Sequence, residues 1–126
     1  MSLYRTHVDL PVYQAAFEMA MEVFRLSQAF PKEEAFSLTN QIRRSSRSVC
    51  ANIAEAWRKR RSEAHFISTL TISEAEAAET QVWLQFAVEC NYLASDLARP
   101  LYHRYDEILA QIVHLIQNPT PWILKN

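Results

Sequence analysis

No glycine occurs anywhere in this 126-residue chain, where average usage of roughly 7% would place about nine. Every residue therefore carries a Cβ, and each turn must be made without the residue that enters positive φ most freely. A β-hairpin cannot use glycine at its tip, and a helix must end on a substitute. The same absence limits function. No Gly-rich loop is available to cradle a phosphate, and neither a P-loop nor a dinucleotide fingerprint can be written. Nucleotide-dependent enzymes are poor candidates.

Hydrophobic periodicity supplies four helical patterns and no strand alternation. In the first, Val12, Ala16, Met19, Val23, Leu26 and Phe30 recur at spacings of four and three, after Asp9 and with Pro11 in the opening turn. A second stripe, Tyr13, Phe17, Ala20 and Phe24, widens its apolar face. Pro31 ends this helix because its ring disfavours helical geometry at Phe30. The second helix is expected from about Glu33 to Arg60, with Leu38, Ile42, Val49, Ile53 and Ala56 facing inward. Its small residues, Ser45, Ser46, Ser48, Ala51 and Ala54, predict a closely packed neighbour. Ser62 is a credible N-cap for a third helix running to about Cys90. That helix carries the line Phe66, Leu70, Ser73, Ala77, Thr80, Leu84 and Ala87, with Ile72, Trp83 and Phe86 on its other side. Asn91 is placed to end it in left-handed geometry. The fourth begins near Ser95 or Asp96, with a kink or restart at Pro100, and closes at Asn118-Pro119.

Four long helices with short joins specify an all-α, antiparallel up-down-up-down four-helix bundle. The chain is read as one domain, 1–126, with an apolar tail, 119–126, that docks on its own bundle or on a neighbour. A helix apolar on more than one side implies a thick core or a subunit contact. Phe17, Phe24, Trp83 and Phe86 are assigned to an oligomer interface. No N-terminal leader pattern and no run of ~18 apolar residues is present, so a cytosolic protein without a membrane partner is expected.

Charge is distributed unevenly. Gln41 to Arg61 holds seven of the thirteen Lys and Arg residues and one of the fourteen acids, a local +6 against −7 elsewhere and −1 overall. At 100° per residue, Arg43, Arg44, Arg47 and Arg58 fall within one arc of about 100°, so the charge forms a face. Arg58, Lys59, Arg60 and Arg61 end the helix and make a dense cluster for salt-sensitive phosphate contacts, with Trp57 as a stacking surface. Two other readings compete: a solvated face with internal ion pairs, and pairing with acids of another subunit. Glu76 and Glu79 share one side of the third helix. A carboxylate among Ile72, Trp83 and Phe86 requires a partner such as Arg43 or Arg44.

Catalytic patterns are missing. His7, His65, His103 and His114 are scattered, with no HExxH and no Glu-x-x-His pair of the kind that holds di-iron in bundles. No metal and no cofactor are expected. Ser45, Ser46, Ser48 and Ser62 lack a nucleophile elbow. Cys50 and Cys90 fall inside helical patterns with no CxxC spacing and read as small buried hydrophobes. The chain is read as a non-enzyme.

The run Gln41-Ile-Arg-Arg-Ser-Ser-Arg-Ser-Val followed by Ala51-Asn-Ile-Ala-Glu55 resembles the bacterial four-helix proteins encoded in intervening sequences of 23S ribosomal RNA genes. The resemblance extends through Phe30-Pro31-Lys32-Glu33-Glu34, Leu38-Thr39, Phe66, Glu79-Thr80 and Asn91-Tyr92-Leu93. Cys50 stands where the family often has proline, and Ala56 and Asn91 where it often has glycine. The family is also similar to accessory proteins of diversity-generating retroelements, which form pentameric bundles and bind nucleic acid and reverse transcriptase. The resemblance thus implies a homo-oligomer, a pentameric ring, with RNA or DNA as ligand. Arg43, Arg44, Arg47, Arg58, Lys59, Arg60 and Arg61 would be its phosphate contacts, without base specificity. The competing class is a protein-interaction scaffold whose arginines form ion pairs or meet a protein partner.

Overall fold

A computed structural model describes residues 4–125 of the chain. Four helices follow one another: α1, Pro11–Ser27; α2, Leu38–Arg58; α3, Glu63–Glu89; and α4, Ser95–Gln117. Short 3-10 turns at His7–Asp9, Lys32–Glu34 and Thr120–Trp122 complete the order. No strand occurs among the described residues.

The ends of the helices show how the chain turns without glycine. Before α1, Thr6 and Asp9 form a capping box: Val8 N–H donates to Thr6 Oγ1, while Asp9 accepts from the backbone of Arg5 and Thr6. Ser62 caps α3 by accepting from His65 N–H at 3.3 Å. At the other end of α3, Asn91 takes φ 62°, the one positive φ among the described residues. Tyr92 N–H then reaches back to Ala87 C=O, and Asn91 N–H to Val88 C=O, the paired bonds of a Schellman motif.

Two boundaries differ from the sequence reading. α1 stops at Ser27 rather than Phe30, and α2 begins at Leu38 rather than near Glu33. Glu34 explains the late start: its carboxylate accepts from Leu38 N–H at 3.1 Å and from the Tyr92 hydroxyl at 2.9 Å. A side chain four residues before the first residue of the helix thus satisfies an orphan donor, leaving Lys32–Ser37 to turn. Pro100 lies inside α4, which runs through it.

The helices are antiparallel neighbours. Along α2 and α3 numbering runs in opposite directions: Arg44 meets Glu76 and Glu79, Ser45 meets Thr80, and Ser73 meets Val49. α1 packs on α2 and α4, and α3 packs on the same two, so α1 and α3 lie diagonally. One contiguous core results, with Ile42, Val49, Ile53, Leu70, Leu84, Tyr105, Ile108 and Ile112 almost wholly enclosed.

The α2–α3 seam is built from small side chains. Ser45, Ser73, Ala77 and Thr80 are all fully buried. Each buries little apolar area, but close approach gives dense packing and many weak dispersion contacts. The hydroxyls find partners: Ser73 donates to Val49 C=O at 2.9 Å and Thr80 to Glu76 C=O at 2.9 Å.

The tail folds back on its own bundle. Leu124 N–H donates to Arg60 C=O at 2.9 Å. The Trp122 ring sits 5.4 Å from that of Tyr4 and 6.3 Å, edge-on, from that of Trp57. It covers the apolar end formed by Leu10, Phe66 and Leu115.

Candidate nucleic-acid interface

The seven basic residues of α2 and its following turn occupy three different environments. Arg43 and Arg47 lean toward α1. The Arg43 guanidinium is 4.8 Å from the centre of the Phe24 ring and that of Arg47 5.9 Å from the same ring. Arg43 Nε also donates to Ser27 Oγ at 2.8 Å. Ser27 is buried and belongs to neither apolar stripe of α1; its place at the end of that helix, one turn from Phe24, is the only sign of it in the sequence.

Arg44 leans the other way, toward α3. It donates to Glu76 at 2.8 Å and makes a second ion pair with Glu79, which also accepts from Trp83 Nε1 at 3.2 Å. Burial pushes the Glu76 carboxyl up, but the hydrogen bonds from Arg44 and Ser48 and the charge of Arg44 outweigh it, and the pKa falls below the ordinary value. The hydrogen bond to Glu76, joined by the nearby acidic charges, raises that of Arg44 in turn against the opposing pull of burial. Arg44 is therefore committed to a clasp between two helices.

The turn after α2 separates further. Arg58, Lys59 and Arg61 are exposed and make no ion pair among the described residues. Arg60 is half-buried: its guanidinium lies 3.5 Å from the centre of the Trp57 ring, and its Nε donates to Trp57 C=O at 2.8 Å. Burial, and secondarily the charge of Arg58, pulls its pKa below the usual arginine value. Trp57 is itself 5% exposed. Its expected role as a stacking surface is corrected: one face is covered by Arg60 and the ring is packed into the core beside Trp122. Without an exposed ring here, the turn offers charge to a phosphate and no platform to a base.

The four aromatic residues assigned to an interface also divide. Phe17 and Phe86 are about half exposed, while Phe24 lies under the two arginines and Trp83 packs partly against Phe86. Met21 joins Phe17 on α1, and Ile72 and Val82 join Phe86 on α3. Between α1 and α2 a groove of about 330 Å³ is lined by Tyr13, Phe17, Met21, Phe24, Ala51 and Ala54. Phe36, 97% exposed beside the start of α2, is an apolar feature the periodicity did not reveal, because it belongs to no stripe.

No group of three or more metal-ligating side chains gathers among the described residues, and no helix there is long and apolar enough to cross a membrane. Cys50 is buried as expected, which pushes its thiol up to about 11, but the expectation fails for Cys90, which is exposed at the C-cap of α3.

The profile of the 23S rRNA-intervening sequence protein family matches residues 8–114. Among solved structures, the chain is similar to a protein of unknown function from the S23 ribosomal protein family of Bacteroides thetaiotaomicron VPI-5482. The two share 29% identity with a TM-score of 0.77, over 85% of this chain and 99% of the other. No curated protein matches the chain.

Proposed function

This chain belongs to the 23S rRNA-intervening sequence protein family, and from that premise we propose that it is a non-enzymatic, oligomeric, cytosolic bundle that binds the backbone of RNA or DNA. One observation carries the reading: Arg58, Lys59 and Arg61 project from a single turn with no acidic partner among the described residues. Such a cluster raises the local potential and releases counterions when a phosphate chain replaces them. Arg47, with no acidic partner among the described residues, adds a charge on the same side of α2, and Arg43 stands beside it. Arg44 and Arg60 serve the fold in this reading.

Oligomerisation is supported by exposed apolar side chains on two diagonal helices, Phe17 and Met21 on α1 and Ile72, Val82 and Phe86 on α3. Two dissimilar patches suit a head-to-tail contact, which closes into a ring when its rotation allows. A ring of five is the form implied by resemblance. It would repeat the basic turn in every subunit.

The test is a salt series on RNA and duplex DNA with wild type and with Arg58, Lys59 and Arg61 replaced by alanine. Removing three phosphate-binding charges should reduce the logarithmic salt slope on duplex by about 2 to 3. The variant should keep its assembly mass, because none of the three holds the fold. Wild type that fails to bind either nucleic acid at low salt refutes the reading. The second reading, a protein-interaction scaffold, rests on the same half-exposed Phe17 and Phe86; it is favoured if nucleic acid fails to bind while the oligomer persists.

A further inference from the structure

We propose that α2 carries two separate phosphate seats, one at Arg43 and Arg47 and one at Arg58, Lys59 and Arg61, and that a single nucleic-acid strand engages both along the helix. This rests on the nucleic-acid reading above and gives that site a length requirement.

The first seat is held in place before any ligand arrives. Two guanidinium groups are drawn against one ring, that of Phe24, at 4.8 and 5.9 Å. Arg43 is fixed further by its Nε bond to Ser27, whose own hydroxyl donates to Phe24 C=O at 3.1 Å. Neither arginine meets a carboxylate among the described residues, so two like charges stand at one ring uncompensated. An anion in the cleft that both arginines line offsets that repulsion. Arginine nitrogens left free by the Ser27 bond have the forked geometry that phosphate oxygens accept. The adjoining cleft, about 570 Å³, adds Thr39, Asn40 and Ser48 as hydrogen-bonding neighbours. Arg44 borders the same cleft, but Glu76 and Glu79 already neutralise it.

Helix geometry sets the distance to the second seat. Arg47 and Arg58 are three turns apart, a rise of about 16 Å with a rotation of only about 20°. The positions between them on that line are Ala51 and Ala54, too short to lift a strand from the helix. Glu55 lies about 60° to the side of Arg58. At about 3.4 Å per nucleotide, 16 Å corresponds to about five nucleotides of stacked strand. A shorter strand reaches one seat only. A longer one gains the second seat at high effective concentration.

The experiment titrates the 126-residue chain with unstructured single strands of three and eight nucleotides over a salt series. The octamer should bind at least tenfold more tightly than the trimer and with a steeper slope. Arg47→Gln, at a residue whose side chain makes no hydrogen bond among the described residues, should lower the octamer slope by about 0.7. The pair Arg43→Gln and Arg47→Gln should lower it by about 1.4. Both variants should leave a trimer bound at the basic turn. An octamer that binds with an unchanged slope in Arg47→Gln overturns the two-seat proposal while leaving nucleic-acid binding intact. Equal affinity for the two lengths does the same. Failure of wild type to bind either strand or duplex removes both readings together.

Discussion

The Ser45 hydroxyl lies 2.8 Å from the Thr80 hydroxyl, at a point on the α2–α3 seam where neither residue is exposed. A serine and a threonine facing each other leave no room for a larger side chain. Ser45→Leu should therefore destabilise the bundle by about 3 kcal/mol, through overpacking and through the partner taken from Thr80. Ser45→Ala should cost about 1 kcal/mol, since Thr80 still donates to Glu76 C=O. Denaturant midpoints of the two variants provide the comparison.

Acid should loosen the α2–α3 clasp. The Glu76 pKa lies below its ordinary 4.5, and Glu34, bonded by Leu38 N–H and the Tyr92 hydroxyl, is lowered likewise. A carboxyl lowered in the fold contributes stability that is whole above the unfolded pKa and disappears as pH falls through the folded one. Stability should thus decline from about pH 5 downward. Arg44 is 47% exposed, so its share at neutral pH is at most about 1 kcal/mol. Urea melts between pH 3 and 7 should show a flatter acid limb in Glu76→Gln than in wild type.

Asn91 holds φ 62° without strain relief from glycine. Asn91→Gly should stabilise the α3–α4 turn by up to about 1 kcal/mol, whereas Asn91→Val should cost about 1 to 2. Thermal midpoints of opposite sign would confirm the left-handed cap. Equal shifts would contradict it.

One cysteine should react and one should not. Cys90 is exposed, while Cys50 is buried with its thiol raised to about 11. At pH 8 under native conditions a maleimide should label one site per chain, identified by peptide mass as Cys90, and label both only after unfolding.

Arg58 and Arg60, two residues apart, should behave as different kinds of residue. Arg58→Ala should reduce the salt slope of nucleic-acid binding and leave stability within about 0.5 kcal/mol. Arg60→Ala uncovers the face of Trp57, which should cost about 1 kcal/mol of stability and leave the slope nearly unchanged.

Stripes such as Leu38, Ile42, Val49 and Ile53 made the helices legible, because burial on one side repeats with the turn of the backbone. Asn91 was legible because few residues accept positive φ. The start of α2 was not: Glu34 reads as a first-turn acid, and only the Tyr92 hydroxyl, far away in sequence, holds it in its capping position. The basic face was visible as an arc, but an arc does not say what stands beside it. Arg44 points to α3 and Arg43 to Phe24 and Ser27 because α2 is flanked by different helices on its two sides. Arg60 differs from Arg61 through Trp57, whose burial depends on Trp122 from the far end of the chain.

The contact between Trp57 and Trp122 also has an optical consequence. Two of the three indoles lie at the end of the bundle that carries the basic turn, and the third, Trp83, stands on the outer side of α3 beside Phe86. Emission from the first pair reports on the turn and its docked tail, and emission from Trp83 on the apolar side of α3. With Trp83→Phe the chain becomes an unlabelled fluorescent sensor of whatever settles against that turn.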